Sequence, residues 1–139
     1  MLSGMASHGV SAEEMEAIAR DEIARMPEEL QAHLENVVIR VEDFADREVL
    51  DSLGIADAWN LSGLYQGVAL PHQSALDVRQ EMDMIFLYRR PILAESATTG
   101  VPLETLVRHV LVHEVGHHFG FSDEDMHRLE DDAARAGDD

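Results

Sequence analysis

The chain has 139 residues, 45% of them hydrophobic and 27% charged, which suits one folded domain and excludes a disordered or fibrous chain. Asp and Glu number 28 against 10 Lys and Arg, so the formal charge of −18 repels nucleic acids and anionic membrane surfaces. The absence of cysteine excludes disulfides and thiolate metal sites, so any metal must be held by nitrogen and oxygen ligands.

The first ten residues, MLSGMASHGV, have neither a positively charged start nor a sustained apolar segment. No stretch of the sequence approaches the roughly 20 apolar residues of a membrane span. We therefore expect a cytoplasmic protein with no membrane and no nucleic-acid partner. Residues 1–10 are expected to be a flexible tail and residues 11–139 a single domain, while the composition leaves the oligomeric state open.

The first predicted element is an amphipathic helix. Ser11 and Glu14 have the spacing of a capping box, and apolar residues then recur at helical intervals as far as Met26. Pro27 either ends this helix or opens a short second one through Leu34.

A strand and a brief helix are predicted next. Residues 36–41 (NVVIRV) are rich in β-branched side chains, which favours a strand, and the acidic residues 42–46 are predicted to form its exit loop. A short helix over Arg47–Leu53 would end at Gly54.

The middle of the chain, residues 55–77, has weak periodicity apart from a possible strand at Gly63–Gln66. The apolar and aromatic run Met84–Tyr88 predicts a mostly buried strand, whose pairing Pro91 would end.

A helix is predicted to begin near Pro102 and to end at Gly120, and Ser122 with Asp125 would begin another that runs acidic to the C-terminus. Helices beside a small sheet give an α+β domain. The apolar residues that predict the first of these helices are Leu103, Leu106, Val107, Val110 and Leu111.

The segment HEVGHHFGFSD, residues 113–123, contains the candidate metal ligands and the candidate general base. His113 and His117 are four residues apart, so on a helix they project from one face and can share a metal ion. Glu114 lies about 100° round the helix, where it can flank the metal and take a proton from a water that zinc activates.

A catalytic zinc usually has three protein ligands, and the two histidines leave it one short. Gly120 allows a left-handed turn that returns the chain, so that Asp123 can be the third ligand. The bare HExxH pattern would arise by chance about 0.05 times in such a chain, and about 0.0003 times with the glycine and aspartate in place.

HEVGHHFGFSD resembles the HExxHxxGxxH motif of the metzincin branch of the zincin metallopeptidases, with Asp123 replacing the third histidine. On so short a chain, this variant resembles a small bacterial family of minimal zincins described as possible zinc metallopeptidases. The resemblance also takes in NVVIRVEDFAD, GLYQG and IFLYRRPI. It implies a compact zincin-like domain with a small mixed sheet against the active-site helix, zinc held by His113, His117 and Asp123, and Glu114 as general base. Unlike ordinary metzincins, the chain has no separate later Met-turn segment.

Other interpretations of the same residues stay open. The histidines could form a polar helix face, and Asp123 could be the acidic first turn of the next helix. His109 and His113 form a rival pair at the same spacing, although His109 lacks an adjacent base and is expected to be packed or to support a ligand. His118 could hydrogen-bond Glu114 or be an ordinary surface residue, and it is not counted as a ligand.

The sequence therefore predicts a zinc-dependent metallopeptidase that hydrolyses a peptide bond, with an extended substrate aligned along Met84–Tyr88 and residues 55–77 shaping the cleft. The alternatives are a non-catalytic metal-binding or protein-interaction module and a hydrolase of a non-peptide amide. Tyr65 and Tyr88 could polarise a substrate oxygen or be ordinary buried tyrosines.

Overall fold

The computed structural model describes residues 10–34, 37–66 and 83–138. They form the α+β domain predicted from the sequence, with six α-helices and a three-stranded mixed sheet. Residues 1–9 of the predicted tail and residues 67–77 of the segment predicted to shape the cleft lie outside the described residues. The helices are α1 (Ala12–Ala24), α2 (Glu28–Leu34), α3 (Arg47–Leu53), α4 (Arg89–Thr99), α5 (Leu103–Phe119) and α6 (Asp123–Asp138), with a 3₁₀ turn at Ala58–Asn60. The strands are β1 (Val38–Glu42), β2 (Gly63–Gln66) and β3 (Met84–Tyr88).

The sheet has the order β1-β3-β2, so β3 is its central strand. It is parallel to β1, with Ile39 opposite Ile85, and antiparallel to β2, with Tyr65 opposite Ile85. Both sides of β3 are thus occupied by hydrogen-bonded neighbours. The expectation that a substrate aligns along Met84–Tyr88 is wrong, because that strand has no free edge in the described sheet.

The main hydrophobic core lies between one face of the sheet and helices α1 and α5. Side chains that alternate along β3 point to this face, while the intervening ones point to the other. Each fully buried aliphatic side chain stabilises the fold by about 1.5–3 kcal/mol. The fully buried residues at the centre are Met15, Ala19, Ile85, Leu87, Val107 and Leu111.

The opposite face of the sheet is covered by a smaller cluster built from Ala45, Leu50 and Tyr88. Leu50 comes from α3, which ends at Gly54 with a φ of +72°, as the sequence predicted. Because both faces are covered, β3 is mostly buried.

One buried ion pair joins α1 to α5. The Glu22 carboxylate, only 1% exposed, accepts a hydrogen bond from Nε of Arg108 at 2.8 Å and another from Arg25 at 3.2 Å. A buried carboxylate needs such partners because its desolvation is costly. Farther along the chain from this pair, α5 carries the motif HEVGH.

Two features differ from the prediction. The observed first strand extends to Glu42, which lies opposite Tyr88, so Glu42 is not in the exit loop. Helix α4 was not predicted, since Pro91 was interpreted only as the end of a strand. Pro91 is the third residue of α4, where its missing N–H has no intrahelical acceptor to lose, and Gly100 ends the helix with a φ of +80°.

None of the helices in the described part of the chain has the length and apolarity needed to cross a membrane.

Candidate functional site

The HEVGH segment lies near the C-terminal end of α5 and is helical throughout. Gly120 follows the helix with a φ of +79°, in the left-handed region that favours glycine. The N–H of Phe121 then donates to the carbonyl oxygen of Gly116 over 2.8 Å and closes the helix end. The predicted glycine turn after the motif is therefore confirmed.

The predicted third ligand lies at the start of α6. Ser122 and Asp125 form the predicted capping box: the N–H of Asp125 donates to Ser122 Oγ over 3.0 Å, and the N–H of Ser122 donates to Asp125 Oδ2 over 3.3 Å. Asp123 is the first residue of this helix and is exposed. The side chain of His117 lies outside the described residues, so the ligand set that combines it with Asp123 stays a prediction.

The described residues bring together another group of metal-binding side chains, made of His109, His113 and Glu130. Their ligand atoms all lie within 4.8 Å of one another. Nδ1 of His109 is 3.1 Å from both carboxylate oxygens of Glu130, and Nε2 of His113 is 3.5 Å from Oε2. The two imidazole rings are 4.1 Å apart. His109 therefore contacts the same carboxylate that lies beside His113, which fits the expectation that it supports a ligand.

Glu114 is held by the neighbouring edge strand. Its Oε1 accepts a hydrogen bond from the backbone N–H of Tyr65 over 3.1 Å. The strand approaches α5 closely because Gly63 has no side chain: a Cβ there would overlap Val110 and lie 3.6 Å from Cγ of Glu114. The carboxylate thus occupies a defined position between α5 and β2.

His113 and Glu114 open onto a surface pocket of about 340 Å³. Its walls come from the segment before β2, from α4 and from α5. The described residues that line it include the carboxylates of Glu95 and Glu114 and neither Lys nor Arg, so this pocket favours a cation over an anion. The lining residues are Asn60, Leu61, Ser62, Gly63, Glu95, His109, Val110, His113 and Glu114.

Neither tyrosine lines this pocket. The hydroxyl of Tyr65 donates to Oδ2 of Asp83 over 2.7 Å, and burial together with this bond raises the pKa of Tyr65. Tyr88 lies on the opposite side of the sheet, where burial and the charges of Glu42, Asp46 and Glu114 raise its pKa to about 12. Both therefore fit the interpretation as ordinary buried tyrosines, which was one of the two that the sequence left open.

The close approach of α6 to the motif depends on Gly116. A Cβ at this position would overlap Sδ of Met126 and lie 2.6 Å from its Cγ. Met126 is 1% exposed and packs in the core directly against this glycine. This packing brings Glu130, one turn beyond Met126, to the histidines of α5.

Glu130 is the functional candidate that sequence reasoning missed. It lies 21 residues from His109 in the chain, within a long helix rich in acidic residues, so the glutamate itself does not indicate a contact with the histidines. The seven-residue interval from Asp123 to Glu130 places both on one helix face, and this interval was the one available clue.

The donor atoms around His113 suit zinc, which binds imidazole nitrogen and carboxylate oxygen in tetrahedral sites. A carboxylate beside it, that of Glu114, is held in place without being part of the donor cluster. The site therefore combines candidate ligands with a separate candidate base.

No curated protein matches the chain at a significant level. A family model described as zincin-like metallopeptidase matches residues 34–133, which is most of the chain and includes the motif, the sheet and the glutamate of α6. The chain therefore belongs to the zincin-like metallopeptidase family.

Proposed function

We propose that this protein is an HExxH-type zinc peptidase in which His113, His117 and Asp123 hold the metal and Glu114 is the general base. Membership of the zincin-like family implies zinc and a peptide or protein substrate. The observation that carries the proposal is the placement of Glu114, which lines the pocket beside His113 while the Tyr65 N–H fixes its carboxylate.

Zinc, when bound, lowers the pKa of a coordinated water and polarises the substrate carbonyl. Glu114 accepts the proton that this water loses and passes it to the nitrogen of the leaving amine. The Tyr65 N–H orients the carboxylate through Oε1. Val110 and Leu61 supply apolar contacts at the pocket wall.

The edge strand β2, rather than β3, lies beside this pocket. The Tyr88 N–H donates to the carbonyl oxygen of Ser62 over 2.9 Å, so residues 64 and 66 of β2 face β3 in the ladder. Gly63 and Tyr65 direct their backbone groups to the other side, toward α5. We expect a peptide to lie across the pocket near Gly63.

The experiment that tests the proposal profiles new peptide N-termini in a cell extract treated with zinc-loaded protein. Wild type is compared with Glu114→Gln and with Glu104→Gln, a matched control at an exposed position in the first turn of the same helix. A general base contributes about 10²–10⁴-fold, so Glu114→Gln should lower cleavage at least 100-fold while Glu104→Gln leaves it unchanged.

Zinc content and circular dichroism serve as controls, because Glu114→Gln should keep both the metal and the fold. Equal cleavage by wild type and Glu114→Gln would refute the assignment of the base. If wild-type protein binds zinc and produces no new termini, the metal-binding or interaction module becomes the better interpretation, and non-peptide amides are the next substrates to assay. A His113→Ala, His117→Ala double variant that retains full zinc would refute the metal site.

A further inference from the structure

We infer that the helical hairpin of α5 and α6 offers zinc a second position, held by His109, His113 and Glu130, which is an alternative to the catalytic position. Both positions use His113, so the inference rests on the proposed function for the identity of the first one. The two positions differ in their remaining ligands, which come from opposite directions along the hairpin.

The three side chains lie close enough together to become ligands of one ion. Zinc binds nitrogen and oxygen at about 2.0–2.2 Å, which in a tetrahedral site separates neighbouring donors by about 3.3–3.6 Å. The observed separations are 3.1 Å from His109 Nδ1 to Glu130 and 3.5 Å from His113 Nε2 to Glu130. A hydrogen bond explains the first distance alone, but the same carboxylate also lies beside the second histidine, so all three donor atoms converge within 4.8 Å.

The spacing of residues along the hairpin explains why two positions arise. Residues 109, 113 and 117 follow one another at four-residue intervals on α5, and Asp123 and Glu130 lie two turns, about 10.5 Å, apart on α6. The helices run in opposite directions, so Glu130 lies level with the N-terminal histidine pair and Asp123 lies toward the C-terminal pair. His113 belongs to both pairs.

The two positions exclude each other because a neutral imidazole has a lone pair for a metal on only one of its two nitrogens. With Nε2 of His113 directed at Glu130, an ion bound there occupies the nitrogen that this histidine offers. The cluster is open enough for an ion to enter, since the side chains of His109, His113 and Glu130 are 50%, 34% and 19% exposed. The net charge of −18 further attracts cations to this surface.

The test measures zinc binding by metal-free protein in competition with a chromophoric chelator, with no activity readout. His117→Ala removes one ligand of the catalytic position and leaves all three residues of the second position intact. This variant should bind about one zinc per chain. Adding His109→Ala or Glu130→Gln should weaken its affinity by more than the roughly 10–100-fold that loss of a supporting hydrogen bond causes.

The matched control adds Glu124→Gln, which alters an exposed carboxylate of α6 outside the cluster, and should change the affinity less than about twofold. Circular dichroism of each metal-free variant confirms that the hairpin is folded. The inference is overturned if His117→Ala binds no zinc, or if its zinc affinity is indifferent to His109→Ala and Glu130→Gln. A lack of peptidase activity would refute the proposed function and leave this result intact.

Discussion

The backbone N–H of Tyr65 and the side-chain Oε1 of Glu114 are joined by a hydrogen bond of 3.1 Å, which links the edge strand β2 directly to the helix that carries the motif. A donor fixed in a sheet loses no side-chain freedom when it forms this bond. The position of the proposed base is therefore set by the distance between β2 and α5, and that distance depends on Gly63.

Replacing Gly63 with alanine should lower kcat without removing zinc. The added Cβ would overlap Val110 and lie 3.1 Å from the carbonyl oxygen of Phe86, so β2 must move away from α5. Overpacking of this kind costs about 1–3 kcal/mol of unfolding free energy. The control is Gly54→Ala, which costs about 1–2 kcal/mol through its φ of +72° at a place remote from the pocket. Equal losses of kcat in both variants would show that general destabilisation, rather than displacement of Glu114, is responsible.

The parts of the fold that could be predicted from the sequence are those specified by near neighbours. The Ser11 and Glu14 side chains form their predicted capping box, and Gly120 makes its predicted turn, because each depends on bonds within three to five residues. The apolar run of β3 likewise predicted a strand correctly. Its central place in the sheet depends on pairing with distant segments, and local pattern could not supply that.

In the candidate site too, features set by near neighbours could be predicted and those set by helix packing could not. His113 and Glu114 could be proposed from the sequence because about one helix turn contains the whole HExxH pattern. The meeting of His109 with Glu130 depends on how two helices pack, which is set by the contact of Gly116 with Met126. Glu130 is one of 28 Asp and Glu residues, so its meeting with His109 could not be inferred before the packing was known.

The contact between Gly116 and Met126 predicts that Gly116→Ala lowers the free energy of unfolding when Met126 is present and raises it when Met126 is replaced by alanine. In the wild-type background, Gly116→Ala gains about 1 kcal/mol of helix propensity but loses about 1–3 kcal/mol through overlap with Met126, so it should destabilise the protein. In a Met126→Ala background the space is open, and Gly116→Ala should stabilise by about 1 kcal/mol. Urea denaturation of the four proteins measures both steps. The same sign in both backgrounds would contradict the packing described.

The ion pair of Glu22 with Arg108 predicts a large loss of stability when one partner is removed. Arg108→Ala leaves a carboxylate that is 1% exposed, with Arg25 as its remaining partner among the described residues, and breaking a buried pair costs about 3–5 kcal/mol. We expect Arg108→Ala to lower the free energy of unfolding by about 3 kcal/mol in urea denaturation, because Arg25 still compensates part of the Glu22 charge. Arg20→Ala removes an exposed pair with Glu16 and should cost at most about 1 kcal/mol. Similar losses for the two variants would be inconsistent with a buried pair.

The two tyrosines predict a loss of stability at alkaline pH. Burial raises the pKa of both, with the Asp83 hydrogen bond adding to the effect at Tyr65 and nearby carboxylates raising that of Tyr88 to about 12. In the unfolded chain both ionise near pH 10, so between about pH 10 and 12 the folded state retains protons that the unfolded state has lost. The free energy of unfolding should therefore be unaffected by these groups below pH 10 and should fall as the pH rises above it.

Two measurements check this alkaline transition. In the folded protein, tyrosinate absorbance should develop at higher pH than in denaturant, because the chain has only these two tyrosines to contribute. Replacing Tyr88 with phenylalanine removes one ionising group and should flatten the fall of unfolding free energy between pH 10 and 12. A folded protein whose tyrosinate absorbance develops at the same pH as in denaturant would show that neither hydroxyl is held as its burial and its acidic neighbours require.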